Sequence, residues 1–178
     1  MRNLANFALF QLAWFAVVST AAEGRMWIGP AVVAVTLAVH FRWVARPGER
    51  ADEAIYVIAV GLAGLAADTG LGLLGATAYP TSAEAWPWVA VPPWIVSLWV
   101  LFATLPRHSM AWLHGRPLLG AAFGALGGPL SYLAGTRFGA VAVGDSSLLT
   151  WGALALEYAV AMPLLLAFAE RRSGPDAT

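Results

Sequence analysis

The sequence predicts an all-α integral membrane bundle of about six transmembrane helices, with both termini in the cytoplasm. Three observations predict it. Of the 178 residues 60% are hydrophobic and only 11% charged, and mean hydropathy is +0.70, more apolar surface than the charged coverage of a soluble domain of this length can hide. Six stretches are apolar over roughly the 20 residues that a bilayer crossing needs. The arginines, which are the chain's only basic residues other than histidine, fall unevenly between alternate loops. Formal net charge is zero and there is no basic stripe, so nucleic acid is not an expected partner. Absence of cysteine removes disulfides and thiolate metal sites.

The spans are read at about 4–22, 27–44, 54–77, 92–113, 117–136 and 147–169. The first has a basic start and a small-residue end, as a cleaved signal does, but Asn6 and Gln11 interrupt its apolar stretch and Trp14 and Phe15 are bulky for one. It is therefore read as a retained span. The fourth is short: Pro93 suits a first helical turn, and Pro106 removes the bond to the carbonyl of Phe102. A kinked helix continuing through "RHSMAWLHG" is the expectation. With six spans, Arg2, Arg42, Arg46, Arg50, Arg107, Arg116, Arg171 and Arg172 share one face, and Arg25 and Arg137 the other, which sets the orientation. Residues 1–170 read as one domain and 171–178 as a disordered cytoplasmic tail. The long outer loop, 79–94, carries Trp86, Trp88 and Trp94 and reads as an interfacial belt or a lid.

Helical spacing puts Gly61, Gly64, Asp68, Gly72 and Gly75 on one face of the third span, where small residues let another helix come close. The fifth or sixth span is the expected partner. Thr150, Ala153, Glu157 and Ala161 form a similar stripe in the sixth span, and Gly120, Gly124, Gly127, Ser131 and Gly135 do so in the fifth. At about 1.5 Å per residue, Asp68 and Glu157 lie roughly 12–15 Å below the outer boundary, with Gln11 at a similar depth. An ionised carboxylate there costs about 2.5–3.5 kcal/mol, and two adjacent ones do not both ionise cheaply. Asp68, Glu157, Gln11, Ser131 and Tyr132 are therefore the candidate polar intramembrane site. It serves either to handle a proton or headgroup, or to join helices through bonds between Asp68 and Gln11, Ser131 or Tyr132. His40, His108 and His114 show no metal-ligand spacing and read as interfacial anchors, so neither a metal nor a cofactor is expected.

The segments "NFALFQLAWF", the Gly-rich third span with its Asp, "PPWIVSLWVLFATL" and "WLHGRPLLGAAFGALGGPLSYLAG" resemble a family of small bacterial inner-membrane proteins, domain of unknown function 2878. The resemblance covers nearly the whole chain and implies a multi-span inner-membrane protein, with no activity or catalytic residue to carry over. Members of that family often lie in gene clusters with cyclopropane-fatty-acid-synthase-like methyltransferases, and the resemblance implies, by that association alone, a part in membrane lipid modification. Three functions follow as expectations: a lipid-binding or lipid-modifying component, a small proton-coupled transporter, and a scaffold for soluble lipid-modifying enzymes at the cytoplasmic face. Membrane lipid is the expected partner in the first. The sequence assigns no oligomeric state.

Overall fold

The computed structural model describes residues 2–80, 91–144 and 146–172. Their helices are α1 (Arg2–Ala22), α2 (Ile28–Val39), α3 (Arg50–Leu73), α4 (Pro93–Phe102), α5 (Pro117–Phe138) and α6 (Ser147–Arg172). Four of these, α1, α3 with the turn before it, α5 and α6, are long and apolar enough to cross a membrane. The other two are shorter. With the wide π turn His40–Val44, α2 runs 17 residues, about 26 Å, whereas the ten residues of α4 rise only about 15 Å. Leu4, Leu118, Leu148 and Leu164 stand 64–86% exposed, an outer surface suited to lipid rather than water.

The stretch predicted as a fourth span does not continue as a kinked helix. It stops at Phe102, four residues before Pro106, because Pro106 has no N–H to return to the Phe102 carbonyl. That carbonyl instead accepts from the Leu105 N–H at 2.9 Å, and the chain passes through turns to a short 3-10 turn at Ala111–Leu113. At the other extreme α6 extends to Arg172, so Arg171 and Arg172 are helical rather than part of a tail. The predicted tail beyond them, and Trp86 and Trp88, lie outside the described residues.

The α3 helix closes with Gly75 at φ +67°, and the Ala76 and Gly75 N–H groups return to the carbonyls of Leu71 and Gly72. This αL ending is one that glycine adopts without strain. The chain then forms β1 (Thr77–Ala78), antiparallel to β2 (Ala142–Val143), with Thr77 opposite Val143. Thr150 reinforces this cap by donating to the Ala76 carbonyl at 2.7 Å.

Two small-residue seams hold the helices. Gly61 and Gly64 of α3 are filled by Val100 and Trp99 of α4, so the partner of this stripe is the fourth helix rather than the fifth or sixth. In α5 the seam against α6 is Gly120–Gly124–Gly128, where any Cβ would strike Leu166, Met162 or Tyr158. Gly127, predicted on that seam, faces open space instead. While α5 lies along α6, it meets α1 only sparsely, and that gap becomes the site.

Candidate functional site

Asp68 is fully buried, and three donors surround its carboxylate. Trp99 Nε1–H donates to Oδ2 at 2.5 Å, Tyr79 O–H donates to Oδ1 at 3.2 Å, and Tyr132 O–H donates to Oδ1 in a short contact. These donors come from α4, the β1 end and α5, so one side chain ties three segments to α3. Gly64 makes the arrangement possible. Lying one turn before Asp68, it lets the Trp99 indole lie flat on α3, where any Cβ would collide with the ring. Trp99 stacks on Tyr158 with centroids 5.1 Å apart and planes 16° apart, and Tyr158 meets Tyr132 edge-on at 6.3 Å. Burial pushes the Tyr79 phenol well above its ordinary range, so it remains a donor.

Trp99, Tyr132 and Tyr158 also line a cavity of about 510 Å³ between α1 and α5. Phe7, Phe10, Trp14 and Phe15 line it from α1, and Phe123, Gly127 and Ala134 from α5. Among the described residues its lining contains no charged side chain; its polar contributors include Gln11, Ser109, Ser131 and Tyr132. Gln11, Ser131 and Tyr132 of the predicted site are thus brought to one cavity, with Asp68 directly behind its wall. Asp68 and Glu157 are not hydrogen-bonded to each other. Glu157 is half-buried on α6, and its Oε1 has no hydrogen-bond partner among the described residues.

A second cluster lies at the opposite end of α3. Glu53 is 1% exposed, and its Oε1 accepts from His40 Nε2 and His108 Nε2, each at 2.7 Å. Asn6 supports it: its Oδ1 accepts from the Ser109 N–H and Oγ–H, and its Nδ2 donates to the Thr104 carbonyl at 3.1 Å. His40 is buried and His108 nearly so, which corrects their reading as interfacial anchors: each exchanges water for the Glu53 carboxylate. Trp94 is likewise corrected. It is 1% exposed, packed edge-on against Tyr79 at 5.7 Å, and belongs to the core rather than to a lid or belt.

The family model described as protein of unknown function, DUF2878, matches residues 3–164. The chain belongs to this family. The match takes in both polar clusters and every cavity-lining residue, so the site lies inside the portion the family model describes. No curated protein and no solved structure matches the chain.

Sequence reasoning missed Glu53 and the largely aromatic and aliphatic walls of the cavity, expecting a polar pocket shared by Gln11, Asp68 and Glu157. Glu53, His40 and His108 sit on three segments with no local spacing to link them. The available signal was an acidic residue inside the first turn of a span, beside two histidines at the same end.

Proposed function

We propose that this protein is a six-span bacterial inner-membrane protein, with both termini cytoplasmic, that holds the tail of a membrane lipid between α1 and α5 as a lipid-binding or lipid-modifying component. The observation that carries the reading is the cavity. Its volume lies in the range of small-molecule sites, and its walls are aromatic, aliphatic and glycine. Phe7, Phe15, Phe123 and Leu130, all 47–61% exposed, flank it on the outside, so a tail enters sideways from the bilayer. The α5 lining runs from Phe123 to Ala134, about 16 Å along the axis, which is half of a roughly 30 Å hydrocarbon layer. Gln11 and Ser131 offer uncharged donors, suited to an ester or hydroxyl rather than to a phosphate, while Ser109 and Tyr132, whose protons go to Asn6 and Asp68, offer acceptor oxygens to a hydroxyl. A purely passive scaffold for soluble enzymes has no need of such a cavity, and a carrier needs a path to both faces.

The orientation rests on the eight-to-two arginine split. A reporter active only in the periplasm, fused after Thr178, should stay silent. For the site itself, a phospholipid with a photoreactive group in its acyl chain is irradiated with the protein in vesicles. Label should concentrate on 7–15 and 123–134. Label spread evenly over the outer leucines, such as Leu148 and Leu164, would argue against a built lipid site.

A further inference from the structure

We infer that His40, Glu53 and His108 form a binding site for a first-row divalent transition metal of the zinc class. This inference is independent of the lipid reading. The three residues come from the π turn after α2, the first turn of α3 and the irregular segment after α4. Their ligand atoms, two imidazole nitrogens and a carboxylate oxygen, lie within 4.8 Å of one another, the one such grouping among the described residues. Two nitrogens and one oxygen, with no thiolate, suit zinc, cobalt or iron(II) rather than calcium or magnesium, which prefer all-oxygen shells. Three protein ligands leave a fourth position of a tetrahedral ion for water or a substrate group, the arrangement of reactive rather than structural zinc. His108, with its side chain 12% exposed, is the member through which an ion enters, while His40 and Glu53 are sealed at 1–2%.

In the metal-free protein both Nε2–H groups donate to Glu53 Oε1, so the carboxylate holds the two imidazoles together. A metal ion takes the place of the two Nε2 protons, each of which moves to Nδ1 of its own ring, so that both imidazoles stay neutral and the ion bridges them to the carboxylate. Asn6 governs how readily that happens. Its Nδ2 stands 3.4 Å from His40 Nδ1, which favours the proton on Nε2, whereas a ligating imidazole carries its proton on Nδ1 and needs an acceptor there. Metal binding is therefore coupled to a tautomer change at His40 and a turn of the Asn6 amide. Ser109 connects this to the cavity, because it lines the cavity and also bonds Asn6.

The test uses the full chain in detergent, stripped with chelator and dialysed against Zn²⁺, with metal and protein quantified together. About one ion per chain is expected. His108→Ala and Glu53→Gln should each weaken binding by about 100-fold or more, since even outer-shell changes cost 10–100-fold. His114→Ala, outside the cluster, should leave it unchanged. Co²⁺ in the unaltered protein supplies a readout that does not depend on a variant folding: intense visible absorption of a tetrahedral N/O site, abolished by one equivalent of Zn²⁺. Binding that survives His108→Ala, or Co²⁺ showing only the pale spectrum of the hydrated ion, would overturn the proposal and leave the cluster as a hydrogen-bonded clamp between segments.

Discussion

Glu53 and Asp68 stand on the same helix, separated by about 22 Å along its axis, and both are almost completely buried. Their partners differ in kind. Asp68 is enclosed by an indole and two phenols, groups that each donate one hydrogen bond to it and do not ordinarily exchange protons or ligate metals near neutral pH. Glu53 is enclosed by two imidazoles, which exchange protons and ligate metals. Burial of an acid in a helix apolar enough to cross a membrane therefore does not by itself mark reactivity; the chemistry of what surrounds it does. Asp68 is the fastening that sets the aromatic wall of the cavity, and Glu53 belongs to the group equipped for chemistry.

The largest expected effect is on the Asp68 side. Asp68→Ala leaves three buried donors without an acceptor and should lower unfolding stability in detergent by about 3–5 kcal/mol. Next is Gly64→Ala, whose methyl group drives Trp99 off α3 and should cost about 1–3 kcal/mol. Glu53→Gln keeps one acceptor for an imidazole and should cost only about 0.5–1.5 kcal/mol, read in the same unfolding assay. If Glu53→Gln proves as damaging as Asp68→Ala, the contrast between fastening and chemistry breaks. Smallest is Gly127→Leu, which projects into open space and should change stability by no more than about 0.5 kcal/mol.

The spacing of Gly61, Gly64 and Asp68 already announces a close helix seam, and Tyr132 is among the partners the sequence offers to Asp68. A stripe of small residues, however, describes a gap and not what fills it. Trp99 fills this one from α4, the helix whose shortness made it hardest to read. The end of α4 follows from Pro106 once the orphaned Phe102 carbonyl is considered, yet a proline kink and a proline stop look alike in sequence. Gly127 and Gly128 are adjacent and both line the cavity, and only the packing of Tyr158 against Gly128 makes that one part of the seam as well. The first and last members of the His40–Glu53–His108 group are 68 positions apart and leave no local pattern.

The central claim, that the gap between α1 and α5 is a lipid site, is tested most directly by native mass spectrometry of the unaltered protein and Gly127→Leu, purified alike from the same membranes. The account predicts a bound lipid mass on the unaltered protein that is largely lost from Gly127→Leu at an unchanged melting temperature. Equal lipid retention by both proteins would contradict it.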